Sequence, residues 1–276
     1  IQYSAILSSL EGLSGLTSIG PYGLRVLDNP ALVSLMGLLS LTSVEDEVYI
    51  ADNNVLVSLD GLSGLTTIGA YLSIYNNDSL MSLDGLSGLT TIHGELSVQG
   101  NDSLSSLEGL LSLASLGGSL IIDGNPELAS LNGLRGMTHL QGEVLIADNA
   151  SLVSLEALEG LESIEENLEI TGNPVLISLD GLDDLVSVGG RLTISSNAAL
   201  MSVEALSRLD SLGSLEVAGN LALTSLVGLE GLTSLVLRLC GGEASEVVRA
   251  GSPPSEAKIV AYEPALTARL GGVTID

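Results

Sequence analysis

The side chains best suited to hold a ligand are tyrosines, and four of the six in the chain fall in three consecutive units of a 24-residue repeat. A tyrosine ring offers a flat apolar face and a hydroxyl, which suit a sugar ring or a protein epitope. Alternatively, these tyrosines only stack on exposed side chains of neighbouring strands, which stabilises the sheet by about 0.2–1 kcal/mol per pair. The ligand-binding surface that we predict comprises Tyr22, Arg25, Glu47, Tyr49, Tyr71 and Tyr75.

A second candidate contact is aliphatic. Ile121 and Leu145 occupy equivalent positions of adjacent repeats, with Ala147 nearby. Exposed aliphatic side chains are ordinary on protein surfaces, so this pair either contacts a partner protein or has no role in binding.

The residues available for catalysis are few. His93 and His139 lie at different repeat positions, so the sequence suggests neither a metal-binding pair nor a Ser-His arrangement. The glycines repeat with the coil and match no nucleotide-binding motif. A polysaccharide-cleaving enzyme, the minor alternative, would need carboxylates such as Glu47, Asp28 and Asp52 beside Arg25. We therefore predict no catalytic residue, no metal ligand and no cofactor.

An acidic residue recurs at one place in most repeats. Such carboxylates repel one another unless water screens them, turn N–H groups receive them, or cations such as Ca²⁺ bridge them. We expect a fixed acid that caps a turn. The residues are Glu11, Asp60, Asp84, Glu108, Glu156, Asp180 and Glu204.

These side chains depend on the repeat for their placement. Counting its asparagine as position 1, an aliphatic residue recurs at positions 4, 7, 10, 13, 16, 20 and 22. The alternation at positions 20 to 22 predicts a strand, and the steps of three suit short turns, 3₁₀ pieces or three-cornered solenoid walls. Glycine at positions 9 and 18 would let the chain turn corners. The series of asparagines is Asn29, Asn53, Asn77, Asn101, Asn125, Asn149, Asn173, Asn197 and Asn220.

The pattern predicts a mainly β fold: a right-handed parallel β-solenoid of about ten 24-residue leucine-rich coils and a non-repeat C-terminal cap. Positions 19, 21 and 23 should face outward, opposite to the buried positions 20 and 22. The asparagines at position 1 and the serines at position 6 should turn inward at corners and bond the backbone of their own and adjacent coils.

Composition excludes several partners. The chain has 34 acidic and eight basic residues, a formal charge of −26, and 45% hydrophobic residues that can form a core. The electrostatic field of so acidic a chain repels phosphate backbones and anionic lipids. We therefore expect neither a nucleic-acid partner nor direct insertion into a membrane. The single cysteine, Cys240, rules out an internal disulfide, and no apolar run approaches the length of a membrane span.

The string LSVQGNDSL, Leu96 to Leu104, resembles the leucine-rich-repeat signature L-x-L-x-x-N-x-L with a longer step after the asparagine. The fuller pattern, from about Ser4 to Leu235, is similar to the receptor L-domain repeat of growth-factor receptors and of fungal and bacterial cell-surface proteins. This resemblance implies a right-handed solenoid with a parallel sheet on one wall. It also implies extracellular recognition through the variable positions. The chain departs from the receptor domains in lacking their cysteines and in repeating more regularly.

We predict two segments, a leucine-rich-repeat solenoid over residues 1–239 and a C-terminal cap or tail over 240–276. Within the tail, Cys240 should be buried and a helix is possible near Glu256 to Leu270. The N-terminal coil shows no cap, and an open edge tends to pair with another strand.

The predicted function is a noncatalytic, extracellular or cell-surface recognition or adhesion module that binds a protein or glycan through its strand wall. The alternative is a structural subunit that assembles end to end, through the uncapped N-terminal coil, or laterally.

Overall fold

The computed structural model describes residues 1–232 completely and, beyond them, only the backbone of four strands: Val236–Cys240, Glu246–Arg249, Arg269–Leu270 and Val273–Thr274. The chain folds as a parallel β-solenoid in which regular strands recur about every 24 residues. The predicted fold class is confirmed. Of the predicted C-terminal helix near Glu256 to Leu270, only Arg269–Leu270 is described, and it is a strand. The side chain of Cys240 lies outside the described residues. Whether the chain divides at residue 239 stays a prediction.

The principal sheet of the solenoid, which we call the strand wall, contains one strand from each coil at positions 20 to 23. Its parallel strands, in spatial order, are Leu24–Leu27, Val48–Ala51, Leu72–Tyr75, Leu96–Gln99, Leu120–Asp123, Val144–Ala147, Leu168–Thr171, Ser187–Ser195, Ser211–Ala218 and Val236–Cys240. Glu246–Arg249 then pairs antiparallel to Val236–Cys240. Equivalent residues of successive coils are direct partners, for example Leu72 with Leu96.

A second set of two-residue parallel strands lies earlier in each coil, at positions 15 and 16. Five of them form a sheet: Ser18–Ile19, Ser43–Val44, Thr67–Ile68, Thr91–Ile92 and Ser115–Leu116. His139–Leu140 and Ser163–Ile164 continue the series and join the principal sheet, because Ser187–Ser195 spans both positions with a bulge between Val188 and Arg191.

The steps of three form 3₁₀ helices, one of the predicted alternatives. Within the described part of the chain the helices are all of this type and number eight: Glu11–Leu13, Met36–Leu38, Asp60–Leu62, Asp84–Leu86, Glu108–Leu110, Asn132–Leu134, Glu156–Leu158 and Glu204–Leu206. No helix of the described residues is long and apolar enough to cross a membrane.

The core is a stack of aliphatic side chains that no single coil could cover. Leu80, Leu83, Leu86 and Leu89 of one coil are fully buried, and so are Leu104 and its equivalents in the coils that follow. Because each coil buries its apolar residues against the next, stability depends on the contacts between neighbours.

Gly109, at position 9 of its coil, is required for a reason other than the expected one. Gly109 has no left-handed φ, but a Cβ at this residue would lie 1.7 Å from the carbonyl oxygen of Leu83 in the preceding coil. Close approach of the two backbones therefore selects glycine at residue 109. In two later coils the position-9 glycines, Gly181 and Gly228, also have a left-handed φ of +106°.

The buried asparagines form the predicted ladder. The Nδ2 group of Asn101 donates hydrogen bonds to the carbonyls of Ile74 and Gln99, each at 3.0 Å, and to Asn125 Oδ1 at 3.2 Å. Its Oδ1 accepts the backbone N–H of Asn77 at 3.1 Å. Both polar atoms of the Asn101 side chain therefore have hydrogen-bond partners inside the solenoid, as a buried amide requires. The ladder asparagines from Asn29 to Asn197 are fully buried, and the last one, Asn220, is 4% exposed.

The serines at position 6, and not the acids at position 8, accept the hydrogen bonds of the turn N–H groups. Ser58 Oγ accepts the N–H of Asp60 at 2.9 Å, and Ser106 Oγ accepts that of Glu108 at 3.1 Å. The acidic side chains themselves are exposed and take no part in these bonds. The prediction that the acid caps the turn is wrong, because the serine two residues earlier already holds the N–H.

Residues 1–3 cover the outer edge of the first strand of the wall, Leu24–Leu27, and pairing of the N-terminal coil with another chain stays a prediction. The N–H of Tyr3 donates to the carbonyl of Leu27 at 2.9 Å, and the N–H of Leu27 donates to the carbonyl of Ile1 at 3.0 Å. Tyr3 also has the left-handed φ of Asp28, its equivalent in the next coil. Residues 1–3 thus lie where the strand of another coil would lie.

Candidate functional site

A shallow depression on the strand wall is the candidate site. Its volume is about 450 Å³, within the range of sites for small ligands. Tyr49 and Tyr71 are its aromatic lining and both are partly exposed. The other lining residues are Ala70, Ser73, Gly94, Glu95, Ser97 and Gln99. We call this feature the tyrosine depression.

Strand register determines how the tyrosine depression is built. Tyr49, Ser73 and Ser97 are direct partners at position 21 of three adjacent strands, so a large side chain is followed by two small ones. The loss of side-chain volume at the two serines leaves space beside the ring of Tyr49. Ser97 is only 3% exposed, and its Oγ accepts a hydrogen bond from Gln99 Nε2 at 2.6 Å.

Gly94 keeps one side of the depression low. A Cβ at this position would lie 2.8 Å from the carbonyl oxygen of Ala70, a contact that real Cβ atoms do not make. The backbone of the preceding coil therefore excludes a larger side chain here, and the depression stays open between Tyr71 and Glu95.

An ion pair borders the tyrosine depression. The guanidinium of Arg25 binds the carboxylate of Glu47, and this raises the pKa of Arg25. Glu47 is only 6% exposed, so the prediction that position 19 faces solvent is wrong at this residue. The pairing with Arg25 compensates the carboxylate for the water that it loses. Burial first, and then the charge of Glu47, raise the pKa of the neighbouring Tyr71.

Removing the charge of Glu47 should make Tyr71 ionise more easily. In Glu47→Gln the negative charge that opposes tyrosinate is lost, and Arg25 keeps its positive charge, so the pKa of Tyr71 should fall. The difference in tyrosinate absorbance between each protein and its Tyr71→Phe derivative, followed during an alkaline titration, measures this shift. Glu127→Gln, at an exposed residue off the strand wall, is the control. An unchanged or higher pKa in Glu47→Gln would contradict the assignment.

The structure brings only part of the predicted surface together. Tyr49 and Tyr71 share the depression, with Arg25 and Glu47 beside it. Tyr22 is 89% exposed and Tyr75 is 38% exposed, and neither lines the depression. Both face outward from the strand wall, as predicted for positions 19 and 23.

The aliphatic candidates are direct partners. Ile121 pairs with Leu145 at position 21 of adjacent strands, and both side chains are partly buried, not fully exposed as we had expected. Ala147 is 5% exposed, so it adds little to this contact.

Sequence reasoning missed the small and polar lining residues of the tyrosine depression. The signal that could have found them is the run of small side chains at positions 18 and 21 in two successive coils, directly after a coil with tyrosine. Those residues are Ala70, Ser73, Gly94 and Ser97.

A second depression, of about 470 Å³, lies at the edge of the strand wall, and half of its lining residues are aspartates. Asp28 and Asp52 line it, as do Asn76 and Asp78, and Asn76 Nδ2 donates to Asp52 Oδ1 at 3.2 Å. Across residues 1–232 no group of three or more His, Cys, Asp or Glu side chains is placed to hold a metal ion.

One contact of His139 is not apparent from the sequence. Its Nδ1 lies 2.7 Å from Ser163 Oγ, and its Nε2 lies 3.9 Å from a carboxylate oxygen of Glu162. The side chains of His139 and Glu162 are 63% and 61% exposed. Water reaches this group freely, so the arrangement lacks the enclosure that activates a serine nucleophile. His93 is elsewhere, with its Nδ1 3.1 Å from the carbonyl of Ile68.

Comparison with known proteins gives two short matches. A stretch of 48 residues, 17% of this chain, is 60% identical to part of the phenylalanine–tRNA ligase beta subunit of Novosphingobium aromaticivorans. A stretch of 51 residues, 18% of this chain, is 53% identical to part of the same subunit of Rhodospirillum rubrum. Each match spans 6% of the relative's own length. No family model matches the chain.

Proposed function

We propose that this protein is a noncatalytic recognition module of the leucine-rich-repeat, receptor L-domain-like kind, and that it binds a protein or glycan at a cell surface through the strand wall. The observation that carries the proposal is the tyrosine depression. Two partly exposed tyrosines lie beside small and polar residues there, on strands that a continuous core holds rigid. Aromatic side chains on a rigid scaffold bind with little loss of conformational entropy.

Two other activities have less support. Cleavage of polysaccharide would need a free carboxylate pair, and Glu47 is engaged by Arg25. Aminoacylation belongs to the named relatives as whole proteins, of which the match covers 6%, and a charge of −26 opposes tRNA binding. Assembly into a filament or layer stays the alternative function.

Loss of the two tyrosines should abolish recognition. We expect Tyr49→Ser/Tyr71→Ser to lose at least about tenfold in signal on a panel of immobilised glycans and cell-surface proteins, since aromatic anchors dominate binding energy. Tyr3→Ser is the matched control, because Tyr3 is 72% exposed and does not line the depression. A double variant that binds as strongly as the unmodified protein would refute the proposal.

A further inference from the structure

The tyrosine depression has polar groups that discriminate among ligands. Ser73, Ser97 and Gln99 line it beside the tyrosines. Because Gln99 Nε2 already donates to the nearly buried Ser97 Oγ, the hydroxyl of Ser73 and the Gln99 carbonyl oxygen are left for a ligand. Such a mixture of donors and acceptors next to flat aromatic faces matches the hydroxyls and the C–H face of a pyranose ring. A simple alkyl ammonium group would leave most of these polar groups unused.

The charge in the depression has one sign. Glu95 is its one charged lining residue. The pKa of Glu95 is raised by its partial burial and by repulsion from Glu143. Among the described residues neither carboxylate forms an ion pair with a basic side chain. The nearest cation, Arg25, is occupied by Glu47. A ligand with a positive charge would relieve this repulsion, and an anionic ligand would increase it.

From this arrangement we infer that the tyrosine depression binds a saccharide that carries a protonated amino group. The pyranose ring lies against Tyr49 and Tyr71, its hydroxyls meet Ser73 and Gln99, and its ammonium group lies beside Glu95. The tyrosine faces also attract the ammonium group directly. The inference rests on the proposed function and narrows it to one class of ligand.

The test compares two probes that differ only in this charge, a glucosamine tetrasaccharide and its fully N-acetylated counterpart. Calorimetry at a pH below the pKa of the sugar amines and above that of Glu95, where both groups are charged, should give at least about tenfold tighter binding of the glucosamine form. Tyr71→Ala should weaken that binding about tenfold. Glu95→Gln should weaken the binding of the glucosamine form and leave that of the acetylated form unchanged.

Two controls separate this site from attraction to an acidic protein in general. Glu127→Gln removes the same charge at an exposed residue off the strand wall and should not change binding. Tetralysine carries similar charge without sugar rings and should bind weakly, with no dependence on Tyr71.

Failure of the inference is distinct from failure of the proposed function. Equal binding of the two tetrasaccharides, or equal effects of Glu95→Gln and Glu127→Gln, would overturn the inference. So would Tyr71-dependent binding of tetralysine, which would point to a basic protein as partner. In each of these cases, loss of binding in Tyr49→Ser/Tyr71→Ser would still uphold recognition by the strand wall.

Discussion

Replacement of Asn101 by alanine is expected to cost about 2 to 5 kcal/mol of unfolding free energy, because it orphans the buried backbone N–H of Asn77, at about 1–3 kcal/mol, and removes further hydrogen bonds at about 0.5–1.5 kcal/mol each. The carbonyl of Ile74 loses its Nδ2 donor, and the backbone N–H of Asn77 loses its acceptor Oδ1. Both groups lie inside the solenoid, where Asn77 and Asn101 are fully buried.

Urea unfolding followed by circular dichroism measures this loss, and hydrogen exchange locates it. Because each coil contacts mainly its neighbours, the exchange of amides should accelerate most in the coils on either side of residue 101. Asn54→Ala is the control, since Asn54 is exposed and directly follows the ladder residue Asn53. If the Asn101 and Asn54 variants unfold at the same urea concentration, the ladder does not stabilise the fold.

The regular part of the fold could be predicted from the sequence because one rule repeats in every coil. A side chain that recurs every 24 residues stacks on its own equivalents, as Asn77 does on Asn101. An inward asparagine or leucine therefore has the same surroundings in each coil, and a single coil suffices to infer them.

The candidate site could be predicted only in part because it depends on departures from that rule. Tyr49 and Tyr71 were recognised as outward-facing by their positions. The depression beside them arises because neighbouring residues in other coils, such as Ser73 and Gly94, are small. Comparison of the residues at one repeat position does not show that space is left beside a residue at another position. The burial of Glu47 also depends on a side chain one coil away, the guanidinium of Arg25.

The turn chemistry shows how two adjacent signals can compete. Position 8 is acidic in most coils and position 6 is serine, and both side chains can bond a turn N–H. Ser106 reaches the N–H of Glu108 at 3.1 Å, which leaves the carboxylate to solvent. The shorter side chain forms the contact because it lies two residues before the N–H, in the geometry of a serine turn.

Replacement of Gly109 by valine is expected to cost about 3 kcal/mol or more through overpacking, whereas the same change at Gly12 should stay within about 0.5 kcal/mol. Both glycines occupy position 9 of their coils and the middle of a 3₁₀ helix. A Cβ at Gly109 would meet the carbonyl oxygen of Leu83 at 1.7 Å, but a Cβ at Gly12 would meet nothing within 4 Å. The matched pair isolates the approach of the preceding coil, because local conformation and helical position are shared.

Position 9 of two other coils indicates how large the loss of stability should be. Ala157 and Ala205 occupy this position and are nearly buried, so a coil can accommodate one methyl group when the adjacent backbone lies slightly farther away. Valine adds two more methyl groups at the same point of contact, where the Cβ alone would already lie 1.7 Å from the carbonyl oxygen of Leu83. Thermal unfolding of Gly109→Val, Gly109→Ala and Gly12→Val should therefore rank the first as least stable and the last as closest to the unmodified protein. Equal losses in Gly109→Val and Gly12→Val would show that glycine is required here by its backbone conformation and not by the spacing of the coils.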